Sequence, residues 1–331
     1  MKASLIMTVY NAEKFIPNVL DNVFSQKFED FELIAVNDGS SDDSYSKLSE
    51  YAKHEPRLVI INQKNSGAGV ARQNGIDIAR GEYVGFVDCD DELSVDMLKE
   101  NLTLLDRYSG EVIMYGYSRY YLDSGKETFE LPANKVLTFT SNKDFGQSFL
   151  QINSSSDLGF VWNKLIRRSL LVKNNIEFPN VKTEEDAIFV YQVLKKAQTL
   201  VVNPKSYYRY YMRKSSLSHR ITDLVSLEHD IDKRRLAATE LFEHWGLKYN
   251  YVLGHNDIRL LDVYFRQIFS DANYGIKTRR KVKNMMRVNK VKALKKVLLN
   301  HFKSLTNKDR FYLLAVVFHM YFLVYMYNKR S

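Results

Sequence analysis

Asp88-Cys89-Asp90-Asp91 puts three carboxylates into four positions, directly after the apolar run Tyr83 to Val87. That run has the length and the aromatic and β-branched content of a buried strand. Carboxylates packed this closely repel one another, so a cation is their natural partner. Asp88 and Asp90 are two apart, and on an extended backbone both side chains leave on the same side. They can share one hard divalent ion, which prefers oxygen ligands, together with phosphate oxygens of a substrate. A solvated acidic turn is the competing reading for such a motif taken alone. Cys89, between the two, is expected to face away from them as a small buried filler.

The elements that must position this turn alternate regularly. Leu5 to Val9 reads as a strand. Ile16, Val19, Leu20, Val23 and Phe24 then recur at the spacing of an amphipathic helix. Strands follow at Phe31 to Val36 and Leu58 to Ile61, with helices from Ser41 or Asp42 to about His54 and from Gly67 to Ala79. This βαβαβαβ order calls for a mainly parallel sheet with helices on both faces. The strand ends at Thr8-Tyr10, Asp38-Ser41, Asn62-Asn65 and Asp88-Asp91 then lie along one edge, where ligands of open α/β sheets bind. A nucleotide diphosphate suits the set. Tyr10 offers a ring to a base, Asp38 accepts from the base edge, Arg72 is a fork donor for phosphate or base, and a cation at Asp90 neutralises the diphosphate. No Gly-x-Gly-x-x-Gly follows the first strand and no Gly-x-x-x-x-Gly-Lys occurs, which disfavours dinucleotide cofactors and P-loop chemistry.

The chain has 331 residues, 45% hydrophobic and 26% charged, enough for one domain and a sizeable extension. Its net charge of +9 is unevenly spread. Gly275 to Arg310 holds thirteen Lys and Arg against Asp309, a net of +12, which leaves the rest near −3. The single cysteine fits a reducing compartment. The apolar N-terminal stretch is too short for a signal peptide, so a cytoplasmic protein is expected.

Thr8-Val9-Tyr10-Asn11, Val36-Asn37-Asp38-Gly39-Ser40-Ser41-Asp42, Asn65-Ser66-Gly67 with Ala71-Arg72-Gln73-Asn74-Gly75, and Asp88-Cys89-Asp90-Asp91 resemble, in order and spacing, the family 2 glycosyltransferases of the GT-A fold. The resemblance covers the first 110 residues or so and extends more loosely to about residue 220. It implies a mixed, mainly parallel α/β sheet over 1–220 and inverting transfer of a sugar from a UDP-sugar with Mn2+ or Mg2+; the helical pattern after it adds an α-helical extension over 221–331. Asp38 is then expected on the uracil, Asp88 on the ribose or a metal-bound water, and Asp90 on the metal. Thr8, Tyr10, Glu13, Asn65, Arg72, Cys89 and Arg213 complete the expected nucleotide-sugar contacts. Thr8 stands where proline is common in the family.

Val161-Trp162-Asn163-Lys164-Leu165 resembles the segment before the acceptor side of bacterial members, and Glu185-Asp186 resembles the family's Glu-Asp pair, whose aspartate is the base. A sugar hydroxyl must lose its proton as it attacks, so a carboxylate within hydrogen-bond reach is required, and Asp186 is assigned to it. Thr183, three residues ahead, would equally make a capping pair with Asp186. Arg213 to Ser216 offers donors to a diphosphate and His219 a further metal contact, although a lone polar-loop histidine is more often solvated.

From Leu224 the pattern is helical, with Leu224, Leu227, Ile231, Leu236, Leu241 and Phe242 assigned to one face. The basic segment interleaves Met285, Val288, Val291 and Leu298 with Lys and Arg, as in helices that lie on anionic bilayers. Phe311 to Tyr327 is apolar but for His319; as a helix it spans about 25 Å, short of the roughly 30 Å hydrocarbon core. An in-plane membrane helix, a helix packed on its neighbours and an oligomer interface all fit. The expected partners are a UDP-sugar, a glycan or lipid-linked glycan acceptor of capsule, exopolysaccharide or cell-wall synthesis, and the inner face of the plasma membrane, with no nucleic acid. The alternative is a membrane-bound nucleotide-sugar scaffold that has lost transfer.

Overall fold

A computed structural model describes residues 1–152, 158–213 and 224–247, with 310, 311 and 314. His219, and all of the basic tail but its last residue, Arg310, lie outside the described residues, as does Phe311 to Tyr327 apart from 311 and 314. The chain divides into two compact units, the first being Met1–Arg220 with His244–Leu247.

The first unit is built on β1 (Ala3–Val9), α1 (Ile16–Phe24), β2 (Phe31–Asp38), α2 (Ser44–Ala52), β3 (Leu58–Gln63), α3 (Ala68–Ile78) and β4 (Tyr83–Asp88). It continues through β5 (Glu92–Leu93), α4 (Met97–Tyr108), β6 (Val112–Tyr121), β7 (Lys126–Glu130), β8 (Leu137–Phe139), α5 (Asn142–Ile152), β9 (Lys164–Arg167), α6 (Arg168–Asn174), α7 (Glu185–Lys196) and β10 (Leu200–Met212). The strands form one sheet in the order β3-β2-β1-β4-β9-β6-β10-β5, with β7 on β6 and β8 on β10. β1 to β4 pair in parallel, as the alternation requires. β9 runs antiparallel between β4 and β6, which makes the sheet mixed.

The core strands are apolar on both faces, as parallel strands covered by helices must be. Every residue of β2 is buried. Leu5, Met7, Leu33, Ala35, Tyr83 and Val87 join α1 residues Ile16, Val19, Leu20 and Val23 in the main cluster. In the register of β1, Thr8 stands opposite Val36 on one side and Asp88 on the other. Asp38 stands opposite Gln63. The polar strand ends therefore share one edge.

β10 is a single strand that carries Pro204 within it. Register shifts at Asn203/Ser206 and Ser206/Tyr208 absorb the proline without ending the pairing with β6. In the second unit α8 (Leu224–His244) is helical as expected. Leu236, assigned to its apolar face, is 61% exposed, while Ile231, Ala238, Leu241 and Phe242, at intervals of seven, three and one, are buried. Among the described residues no helix is long and apolar enough to cross a membrane.

Candidate active site

The turns after β1, β2, β3 and β4 enclose a cleft of about 710 Å³, within the size range of small-molecule sites. Thr8, Tyr10, Asp38, Asn65, Arg72, Asp88, Cys89, Asp90 and Arg213 all line it, together with Asn11, Phe15, Glu185 and Tyr210. Residues as far apart as Thr8 and Arg213 thus meet at one strand edge.

Main-chain geometry holds the nucleotide side of the cleft. Gly39 takes φ +70°, and a Cβ there would lie 2.6 Å from the Asn65 nitrogen, so only glycine lets the β2 and β3 turns approach. Gly67 opens α3 at φ +90°. Asp38 fastens this corner: Oδ1 accepts from Ser66 N–H (2.7 Å) and Gln63 Nε2 (2.8 Å), and Oδ2 from Gly67 N–H (2.9 Å). A carboxylate has about four acceptor positions, so Asp38 retains capacity for one more donor in the cleft. Asn11 Oδ1 accepts from Ser41 N–H (2.8 Å), tying the β1 turn to the β2 turn. Tyr10, 44% exposed, leaves its ring available.

Glu13 does not line the cleft. Its carboxylate accepts from Asp43 N–H (3.1 Å) while its own N–H donates to Asp42 (3.1 Å), so it joins the approach of α1 to the start of α2. Glu13 thus stands outside the group of expected contacts that the cleft gathers.

Arg72 lines the cleft and makes contacts that the sequence does not indicate. Its buried guanidinium sits among three carboxylates: Nη1 donates to Asp186 (2.6 Å) and Glu185 (2.9 Å), and Nη2 to Asp88 (3.3 Å). Phe178, 5.8 Å from the guanidinium, is stacked on Phe189 at 4.1 Å. The sequence shows a lone arginine on a helix. That it links the acid turn after β4 to the start of α7 appears only when the chain is folded.

Glu184, not Thr183, is the N-cap of α7, at φ +64° and without a side-chain cap hydrogen bond. Asp186 and Glu185 occupy its first turn. Glu185, first of the pair that the sequence singles out, lines the cleft, whereas Asp186 reaches it through Arg72. Burial first, and then Glu185, Asp88 and Glu184, push the Asp186 carboxyl up to about 8 against the opposing pull of Arg72. Carboxylates crowd one end of this site, and one fixed cation only partly compensates them.

At the β4 turn, Arg213 donates from Nη1 to Asp90 Oδ2 (2.6 Å) and from Nη2 to the Asp90 carbonyl (2.7 Å). The expected diphosphate donor thus rests on the expected metal ligand. Burial, then Asp88, raises the Asp90 carboxyl above the ordinary range, with Arg213 pulling the other way. Cys89 lines the cleft beside the carboxylates and also packs, partly buried, against the main apolar cluster, as a small filler does. Burial, with Asp90, Asp88 and Asp91, pushes its thiol well up, so it is no nucleophile.

Tyr208, missed in sequence because it looked like one of several strand aromatics, braces the turn: its hydroxyl donates to Asp91 Oδ2 (2.9 Å) and accepts from Asp88 N–H (3.1 Å). Trp162 stacks on Tyr208 at 4.4 Å.

Among the described residues no three His, Cys, Asp or Glu side chains gather as a closed metal cage. The acid turn nevertheless fits a hard divalent ion. Asp88 and Asp90 are crowded oxygen donors, and Mg2+-type sites use one or two carboxylates plus substrate phosphates rather than all-protein cages.

The profile of the family described as Glycosyl transferase family 2 matches residues 4–173, more than half of the chain. The chain is a family 2 glycosyltransferase. EpsJ of Bacillus subtilis, an uncharacterized glycosyltransferase, is 30% identical over 248 residues, covering 74% of this chain and 70% of its own. TarS of Staphylococcus aureus, a poly(ribitol-phosphate) β-N-acetylglucosaminyltransferase, is 28% identical over 73% of this chain, which spans 40% of TarS. The crystal structure of TarS 1–349 in complex with UDP-GlcNAc shares the fold of this glycosyltransferase, with a TM-score of 0.67 at 21% identity, covering 100% of this chain and 92% of that one. The mannosyltransferase PcManGT from Pyrobaculum calidifontis, in complex with GDP-Man and Mn2+, has a TM-score of 0.54 at 14% identity over 95% of this chain and 85% of its own.

Proposed function

We propose that this glycosyltransferase moves a sugar, with inversion, from a UDP-sugar to a hydroxyl of a glycan acceptor in the synthesis of a bacterial surface polysaccharide. One observation carries the reading: a single cleft brings the Asp38 corner, the Asp88–Asp90 turn and, through Arg72, the Glu185–Asp186 pair together. The UDP complex of TarS supports the donor.

Tyr10 and Asp38 bind the base, and Asn65 and Thr8 line its side of the cleft. Asp88 and Asp90 would hold Mn2+ or Mg2+, which would supply positive charge to the departing diphosphate. Arg213, freed from Asp90, adds its fork to the same phosphates. Asp186 accepts the proton of the acceptor hydroxyl as the bond from that oxygen to the anomeric carbon forms and the anomeric carbon–phosphate oxygen bond breaks, releasing UDP. Arg72 orients Asp186 and Glu185. The acceptor is lipid-linked and the enzyme peripheral at the inner face of the plasma membrane, a reading that rests on the basic and apolar tail sequence.

The test is a screen of UDP-sugars for metal-dependent release of UDP. Turnover of one donor that needs Mn2+ or Mg2+ and is lost in Asp186→Asn supports the reading. UDP binding without turnover of any donor would leave a nucleotide-sugar scaffold.

A further inference from the structure

A second cleft, of about 290 Å³, lies on the sheet near the acid turn. The strand register builds it. Phe129 on β7 stands opposite Ser118 on β6, Ser118 opposite Arg209 on β10, and Arg209 opposite Glu92 on β5. Residues in register share a face of the sheet, so a ring, a hydroxyl, a guanidinium and a carboxylate form one row across four strands, roughly 14 Å long at the usual strand spacing. Ser118 is too small to cover its neighbour, and Phe129 is 61% exposed. Arg209 is held between Glu92 (Nη1, 2.9 Å) and Glu127 (Nε, 3.0 Å). An open aromatic face beside fixed carboxylates and a guanidinium is the chemistry that binds sugars: the ring meets the apolar face of a pyranose and the polar groups its hydroxyls.

Contacts link the row to the first cleft, which Asp90 and Arg213 line. Arg209, Tyr211 and Arg213 alternate along β10 and just past its end, opposite Glu92 and the turn that carries Asp90. Arg209 meets Glu92 as Arg213 meets Asp90 (2.6 Å). Between them the Tyr211 hydroxyl donates to Glu92 (2.7 Å), and its ring lies 5.1 Å from the Arg213 guanidinium. Four residues of strand separate the two arginines, about 13 Å, a distance of more than one sugar unit.

We propose that the second cleft is a distal acceptor subsite, which holds an uncharged sugar unit of the acceptor chain while a hydroxyl further along that chain occupies the first cleft. This rests on the glycosyltransfer reading above and adds a substrate class to it. Two carboxylates around one guanidinium leave the cleft negative, so it admits a neutral oligosaccharide and repels a phosphate-bearing polymer.

Saturation-transfer NMR on the full chain, with UDP and Mn2+ present, tests this with cellotetraose, chitotetraose, laminaritetraose, glucose and a ribitol-phosphate tetramer. At least one neutral tetrasaccharide is expected to bind more tightly than glucose and than the phosphate tetramer. Phe129→Ala is expected to weaken that binding about fivefold, the scale of one ring contact, and to leave UDP-sugar hydrolysis at the wild-type rate. No binding of any neutral tetrasaccharide, equal binding in Phe129→Ala, or preference for the phosphate tetramer would overturn the subsite. Intact hydrolysis with no sugar binding removes this inference alone. Ring-dependent sugar binding without hydrolysis of any donor removes the transferase reading and leaves the cleft a sugar site.

Discussion

At the scale of single residues, the site is governed by how few cations face how many carboxylates. Arg72 compensates Asp88, Glu185 and Asp186 from a buried position. Removing one partner of such a cluster leaves uncompensated charge, so Arg72→Ala is expected to cost about 3 kcal/mol, read by urea denaturation. Adding Glu185→Gln in the same chain should recover part of that loss. Asp186→Asn removes the proton acceptor and should lower kcat by about 10² to 10⁴, with the UDP dissociation constant little changed. Because the Asp186 carboxyl is raised to about 8, kcat/KM should climb as pH rises toward that value and level off above it. The stability consequence has the opposite sign. The folded protein holds this proton between about pH 4 and 8 while the unfolded chain, with an ordinary aspartate near 4, does not, so stability falls as pH rises through that window. Asp186→Asn should therefore raise Tm more at pH 8 than at pH 5.

At the scale of elements, the β-strands deliver the chemistry and β10 completes it. The first four strands and three helices were legible in sequence because apolar periodicity changes sharply between them, and because Asn11, Gly39 and Asp88 mark where each strand ends. Residues 92–160 carry no local motif beyond the loose family resemblance. β6, β7 and β9 have meaning only as partners of one another, and the antiparallel β9 between β4 and β6 has no local signal. β10 holds Pro204 inside a bulged pairing, which local rules that treat proline as a strand breaker do not anticipate. Its Tyr208 spans from the sheet to the acid turn, so Tyr208→Phe, which leaves the Asp88 N–H and Asp91 short of a partner, should destabilise by about 1 to 3 kcal/mol and weaken donor binding.

At the scale of the whole molecule, charge is segregated. The tail segment Gly275 to Arg310 carries +12 and the rest is near −3, a division set by sequence alone. Deleting residues 305–331 is expected to abolish co-sedimentation with anionic vesicles, and raising salt should weaken the binding of the intact chain; retention by the truncated chain would refute the membrane role. α8 shows how far periodicity reaches: it gave the helix, but Leu236 lies outside the buried stripe, since an exact face depends on which neighbours the helix meets.

Sequence by itself determined the class of fold, the edge of the sheet where chemistry gathers and the identity of most groups there, because strand alternation and the residues that end strands are local properties. Tertiary structure alone decided their pairing. Arg72 lies on Asp186, Arg213 on Asp90, Glu13 on α2 and Phe129 beside an open row. Each is a contact between residues up to 123 positions apart, whose energy depends on burial and on distances that no short stretch of chain encodes.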